Sequence, residues 1–237
     1  MGRNSEWMNS ALVGKDGFCR TPFAPALFAQ DYFAAFDHFC PSMLVDATHF
    51  PGFTVSEITA TDAGTLVMQD LPGGVLGLVG TTYDGAGIQM QQIGLPFLPA
   101  ANKDLYFEAR VKAIVANDID LFVGLAAADT NVFSTDPTDL IAFRADDGSA
   151  ALNFQVRNSG TGAAAATGVS LVNDTWIRIG FHVQGVTKVT PYVDGVEYTA
   201  VAANIPVAGI GLTFGMCGGT TDANKLLIDW YRCLQFA

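Results

Sequence analysis

The sequence predicts an all-β fold: a jelly-roll β-sandwich carrying an irregular, partly helical N-terminal arm. Three observations lead there. The stretch Trp176-Ile177-Arg178-Ile179-Gly180-Phe181-His182-Val183 puts Ile177, Ile179, Phe181 and Val183 on one side and Trp176, Arg178, Gly180 and His182 on the other. That is the period of a strand with one face in a core. Asp194-Gly195 stands between Tyr192-Val193 and Val196-Glu197-Tyr198, and Asp146-Asp147-Gly148 separates two further apolar segments. Both are strong hairpin signals. Finally, about a dozen strand-like segments follow one another at short intervals without a fixed repeat, as in a sandwich or jelly roll.

Along the chain, residues 1–45 read as the arm and 46–237 as the sandwich. Phe28, Tyr32, Phe36 and Phe39 fall at helical spacing and Pro41 would stop a helix there. An irregular arm leading into a first strand is the other reading. Either way Phe28, Tyr32, Phe33, Phe36 and Phe39 need a cover, from this subunit's own sheet or from a neighbour. The β pattern starts near residue 50 with Phe53–Ile58 and Thr65–Gln69. Residues 73–80 and 86–93 flank a turn at Tyr83-Asp84-Gly85. In 104–116, Leu105, Phe107, Ala109 and Val111 point inward while Tyr106, Glu108, Arg110 and Lys112 point outward. Residues 119–127 are more continuously apolar, as in a central strand. Segments 140–144 and 152–157 form a hairpin, 160–167 reads as a Gly/Ala-rich loop, and 169–172 as a short strand. The strands 176–184, Lys188–Val193, 196–200, 211–217 and Lys225–Phe236 complete the series.

Composition narrows the function. Charged residues make up only 15% of the 237 and hydrophobic ones 50%, against about 25% charged in an average soluble chain. This favours a subunit packed against other proteins over a lone globule. No apolar run approaches the ~20 residues of a membrane-spanning helix, and no membrane contact is expected. The start, Asn4-Ser5-Glu6-Trp7, lacks the apolar segment of a secretion signal. A net charge of −11 with 12 scattered basic residues argues against direct nucleic-acid binding, which needs a basic footprint. Cys19, Cys40, Cys217 and Cys233 show no metal-ligand spacing and read as buried thiols. Cys217 and Cys233, in the last two strands, could be neighbours.

Several segments resemble the concanavalin A-like lectin/glucanase sandwich over roughly residues 65–237. They are Asp104-Leu105-Tyr106-Phe107-Glu108-Ala109-Arg110-Val111, Phe122-Val123-Gly124-Leu125, Asp174-Thr175-Trp176-Ile177-Arg178-Ile179, Tyr192-Val193-Asp194-Gly195 and Leu227-Ile228-Asp229-Trp230. These are signatures of packing and turns, and the fold hosts lectins, hydrolases and scaffold proteins. The long arm, the aromatic-acidic segment from Phe33 to Phe39 and a sandwich running to the C-terminus look more narrowly like structural proteins of tailed-phage virions.

Glucanases of this fold resemble one another in an E-x-D-x-x-E run, with two carboxylates on one strand face. The nearest segment here, Asn117-Asp118-Ile119-Asp120-Leu121-Phe122, has no Glu at either end, and Glu108 is a lone strand carboxylate. No catalytic residue is assigned. His38, His49 and His182 are scattered, and His182 reads as a solvated or interface histidine. Asp129, Asn131, Asp136 and Asp139, followed by Asp146-Asp147, form an oxygen-rich stretch of the kind that can hold Ca²⁺, but their spacing is ordinary loop chemistry. No metal or cofactor is expected. Tyr106, Trp176, Trp230 and Tyr231 could stack on sugar rings, although Trp176 and Trp230 suit a core or an edge as well.

The expectation drawn from all this is a non-enzymatic virion protein, made in the host cytoplasm and placed on the capsid exterior. It would decorate or cement the shell, binding the major capsid protein or other virion subunits through arm and sheet edges. It would also self-associate, with a trimer as one form. The alternative is a lectin-like module of a fibre or tail that binds a surface glycan; a glycoside hydrolase is the third reading.

Overall fold

The computed structural model describes residues 32–38, 48–58, 63–69, 71, 74–219 and 225–236. Fifteen strands run through them: β1 (Tyr32–His38), β2 (Phe53–Ile58), β3 (Thr65–Gln69), β4 (Val75–Val79), β5 (Gly87–Gln92), β6 (Asp104–Ala113), β7 (Ile119–Ala126), β8 (Leu140–Ala145), β9 (Ala151–Asn158), β10 (Thr161–Ser170), β11 (Ile177–Gln184), β12 (Lys188–Val193), β13 (Val196–Glu197), β14 (Gly211–Gly218) and β15 (Lys225–Phe236). No helix occurs among the described residues.

Alternation sorts these strands into two antiparallel sheets. The eight-stranded sheet runs β13-β12-β11-β6-β15-β4-β3, with β1 joined to β15 beyond β4; the seven-stranded sheet runs β10-β9-β8-β7-β14-β5-β2. The inward residues of β6 (Leu105, Phe107, Ala109, Val111) and β11 (Ile177, Ile179, Phe181, Val183) meet those of the other sheet (Val123, Leu125, Ile141, Phe143, Phe154, Phe214) in one core. Aromatic rings bridge the layers, Phe154 to Phe181 at 5.7 Å and Phe214 to Tyr231 at 5.4 Å. At roughly 25 cal/mol per Å² of apolar surface removed from water, burial on this scale is the main force holding the sheets together.

Turn chemistry explains the hairpins. Asp194 and Gly195 both take positive φ, 49° and 82°, between the directly paired Val193 and Val196. This is the backbone twist that a two-residue hairpin needs. Ser159-Gly160 repeats the device with φ of 49° and 82°, and corrects the sequence reading of 160–167 as a loop. That stretch belongs to β10, which pairs with β9 from Thr161↔Asn158 to Ser170↔Ala151 across a bulge at Ala166/Val169. Alanine and glycine carry little strand preference of their own; the ladder with β9 supplies it.

The helical reading of the arm also gives way. Tyr32–His38 is a strand paired antiparallel with β15, Tyr32 opposite Phe236 and His38 opposite Trp230. Phe28 and Phe39 lie outside the described residues. Tyr83-Asp84-Gly85 is a turn, with the Ala86 amide donating to the Tyr83 carbonyl, but the strands it joins, β4 and β5, lie in different sheets. Cys217 and Cys233 are not paired: each is a free, buried thiol, one on β14 and one on β15, in opposite sheets. Burial, with the Asp120 charge, pushes the Cys217 thiol up to about 12, which keeps it protonated and unreactive.

Candidate functional site

The outer face of the seven-stranded sheet follows from strand register. Across it run two rows of directly opposed residues: Thr54, Gln91, Thr213, Gly124, Ala142, Gln155 and Ala164, then Ser56, Gln89, Gly215, Phe122, Arg144, Asn153 and Ala166. A loop, residues 127–139, lies over the middle of this face. Val132 and Phe133 pack on Phe122, Ala126, Leu140 and Ala142 as a second, smaller apolar cluster. Gly215 makes room, since a Cβ there would come within 3.0 Å of the Phe133 ring.

Two buried glutamines fasten the loop. Gln89 Nε2 donates to the Asp129 carbonyl at 2.6 Å, and its Oε1 accepts from the Val132 amide at 3.0 Å. Gln91 Nε2 donates to the Ala127 carbonyl and to Thr213 Oγ1, both at 2.9 Å, and its Oε1 accepts from the Asp129 amide at 3.0 Å. Buried amides require such partners. The loop's oxygen-rich residues are used in the same way. Asp129 accepts from the Asn131 amide, Asn131 from the Phe133 and Ser134 amides, and Asp139 from the Ser159 amide. Of the oxygens considered for Ca²⁺, those of Asp129 and Asn131 thus hold the loop's own backbone, and that of Asp139 holds the turn after β9. Among the described residues no three His, Cys, Asp or Glu side chains are grouped as metal ligands.

Beside the loop, Asp136 reaches the strand floor. Its Oδ1 accepts from Arg144 Nη1, and its Oδ2 accepts from Arg157 Nη1 at 2.7 Å and from Gln155 Nε2 at 3.1 Å. Burial alone would raise the Asp136 pKa, but the Arg144 hydrogen bond and charge, the Gln155 hydrogen bond and the Arg157 charge hold it below the usual carboxylate range. Asp136 therefore stays ionised and fixes two guanidinium planes. Asn153 stands next to Arg144, and the small residues Gly162, Ala164 and Ala166 of β10 leave the floor open on that side. The result is a partly exposed group of planar hydrogen-bonding side chains, whose Arg144 guanidinium lies 5.9 Å from the Phe122 ring.

At one end of the same face lie more carboxylates. Asp120 of β7 accepts from the Asp147 amide at 2.8 Å. Its pKa is raised by burial and by the Asp146 and Asp147 charges, against the opposing Asp147 hydrogen bond and the Arg144 charge. Asp118 Oδ1 and Asp147 Oδ1 lie 2.1 Å and 3.0 Å from the spot where a Gly219 Cβ would stand, so both carboxylates border the same space.

The residues expected to meet sugar lie elsewhere. Tyr106, Trp176 and Trp230 share the outer face of the eight-stranded sheet, whereas Tyr231 points into the core against Phe214 and Phe53. Trp176 is half-buried beneath Arg110 and Lys112, whose charged groups sit 4.7 Å and 5.1 Å from its ring. Trp230 is buried with Arg232 at 5.4 Å. His182 is not solvated but buried, stacked on Tyr106 at 4.1 Å. The set Asp136, Arg144, Gln155 and Arg157 was not singled out by sequence reasoning. Three of the four were legible as outward positions in Leu140–Ala145 and Ala151–Asn158; the loop that brings Asp136 to them left no periodic signal.

No family model matches the chain, and no curated protein sequence matches it. Solved structures do. An endo-1,3-β-glucanase from Streptomyces sioyaensis is similar at 14% identity and TM-score 0.58, over 92% of this chain and 100% of that one. An endo-β-1,3-glucanase from Pyrococcus furiosus is similar at 14% and 0.59, over 86% and 94%. Peanut lectin is similar at 10% and 0.55, over 86% and 97%. The fold is the concanavalin A-like jelly roll, the architecture of carbohydrate-related glucanases and lectins. The expectation that the chain is not an enzyme is contradicted here: several of the similar solved structures are glucanases, and one is a glycosidic hydrolase.

Proposed function

We propose that this chain is a glycan-directed sandwich that engages a polysaccharide on the outer face of its seven-stranded sheet. The observation that carries this reading is the Asp136–Arg144–Gln155–Arg157 group. Planar amide, carboxylate and guanidinium side chains, held in place by one another, present hydrogen-bonding edges on the same sheet face over which the half-buried Phe133 ring packs. Sugar hydroxyls are recognised by such edges and sugar faces by aromatic rings. Because the partners are already fixed, little side-chain entropy is lost on binding. A β-glucan is the first ligand class to try, in keeping with the glucanases of the same fold. On a virion, the setting expected from the sequence, the same face would adsorb to a surface glycan.

Hydrolysis is the second reading, favoured by the Asp118–Asp120–Asp147 group. A carboxyl whose pKa is raised, grouped with other carboxyls, is an arrangement that acid catalysis of glycoside cleavage can use. Affinity electrophoresis through β-1,3-glucan and mixed-linkage β-glucan, paired with a reducing-sugar assay, tests both. Retardation that Arg157→Ala abolishes supports binding at this face. Release of reducing ends that Asp120→Asn abolishes supports hydrolysis there. Migration unaffected by any glycan, with no release, would sink both.

A further inference from the structure

A sheet ends in strands whose outer backbone groups lack a ladder, and such an edge is a template for another chain unless it is short, charged or bent. The edges of this sandwich differ in that respect. β13 has two residues, one of them Glu197, and β3 has five. β2 carries the exposed Glu57. β10 is ten residues long, and no charged residue or proline stands between Arg157 and Asp174. Among the described residues its ladder partner is β9 alone. The bulge between Ala166 and Val169 bends its far end and leaves 161–166 regular.

The hairpin sets which backbone groups face outward. Asn158 and Thr161 flank the two-residue turn Ser159-Gly160, and residues in that position exchange both of their hydrogen bonds. Counting along the ladder, Ala163 and Ala165 bond to β9 in the same way, opposite Val156 and Phe154. Their side chains pack against the core. The N–H and C=O groups of Gly162, Ala164 and Ala166 therefore point to the free side. The same three residues are exposed on the sheet's outer face, with nothing larger than a methyl group to hinder an approaching strand.

We propose that this edge pairs antiparallel with the same edge of a second copy of the chain, about a two-fold axis at Ala164, so that two seven-stranded sheets become one. Self-complementarity selects this occupant. Gly160-Thr161-Gly162-Ala163-Ala164-Ala165-Ala166-Thr167-Gly168 reads almost the same in both directions, with Gly and Ala exchanged only at 162 and 166. A two-fold interface sets each residue against its mirror in just that order. Ala164 meets itself and Gly162 meets Ala166, in pairs that exchange roughly six main-chain hydrogen bonds. An unrelated strand would be chosen by side-chain pockets along the edge, and these small residues form none. With a charge of −11 on each chain, a neutral edge is also where two copies repel least. One strand pair buries less than a stable interface does, so the dimer forms reversibly and weakly. The pairing does not rest on the glycan reading. It would place the two copies of β9, with their Arg157 groups, three inter-strand steps or about 14 Å apart on one continuous floor.

Sedimentation velocity of the full chain at rising concentration should show a reversible monomer–dimer equilibrium. Ala164→Pro removes a donor that faces away from β9, a place where an edge strand accepts proline. It should weaken the dimer about tenfold or more. Cysteines read the register. Under mild oxidation Ala164→Cys should link to its own copy, because directly opposed Cα atoms stand about 5.5 Å apart. Gly162→Cys and Ala166→Cys should link when mixed and not when separate, measured against the parent chain as background. A monomer at every concentration up to about 1 mM would overturn the proposal, and so would a dimer that Ala164→Pro leaves intact. If Ala164→Pro does not fold, the cysteine variants decide: linkage in the mixture supports the pairing, and its absence there overturns it.

Discussion

The two outer faces of this sandwich are built from the same residue types and are used differently. On the eight-stranded sheet the shared carboxylate is deep: Glu108, 1% exposed, lies between Arg178 and Arg232, and Tyr106 and His182 stack as buried rings. On the seven-stranded sheet the Asp136 cluster keeps partial access, with the Arg157 side chain 21% and the Asp136 side chain 28% exposed. A buried ion pair gains in Coulomb attraction but suffers in desolvation, and is costly to break. A partly wet one is worth little to stability and is free to exchange its partners for a ligand's. The first pair is built as structure; the second keeps the access that the proposed recognition of a glycan needs.

The largest expected effect breaks the buried side of that contrast. Glu108→Leu leaves two guanidinium groups without their carboxylate and should lower stability by about 4 kcal/mol, read from urea denaturation. Gly180→Val comes next. A Cβ there would stand 2.6 Å from the Phe107 carbonyl oxygen, and backbone cannot give way, so a loss of about 3 kcal/mol is expected. The matching change on the other face, Gly215→Ala, meets side chains of the loop, the Phe133 ring at 3.0 Å and Val132 at 3.4 Å. That ring can shift, so about 1 kcal/mol is expected, together with weaker glycan retardation. Asp136→Asn should cost about 1 kcal/mol or less while reducing glycan binding. Equal losses for Glu108→Leu and Asp136→Asn would erase the distinction between the faces.

Acid titration sharpens the same comparison, because the two carboxylates shift in opposite directions. Glu108 lies above its ordinary value of 4.5, so its contribution is fully present below 4.5 and is lost as pH rises through its folded value. Asp136 lies below its ordinary 3.8, so its contribution is present above 3.8 and is lost as pH falls through its folded value. Urea midpoints measured from about pH 3 to about pH 7 should therefore flatten above 4.5 in Glu108→Gln and below 3.8 in Asp136→Asn. The reverse assignment would mean that the Glu108 face is the wetter one.

What the sequence by itself determined is local. Alternation in 104–112 and 177–183 assigned every inward and outward residue correctly, because a strand's period of two does not depend on its partner. Asp194-Gly195 specified a hairpin because positive φ at both positions is a property of the turn. Tertiary structure decided whatever needs a partner distant in sequence. The turn at Tyr83-Asp84-Gly85 links two sheets, not two paired strands, and only the ladders of β4 with β15 and β5 with β14 show it. The alanines of β10 are a strand because β9 offers hydrogen bonds. Tyr231 faces the core while its neighbour Trp230 faces out, and a register shift between Ile228 and Trp230 sets that phase. Asp136 meets Arg144 and Arg157 because Gln89 and Gln91, far back in the chain, tie the loop down over the sheet. Period is carried by neighbours along the chain, whereas coverage and pairing are settled by which surfaces exclude water together, and that is a property of the folded whole.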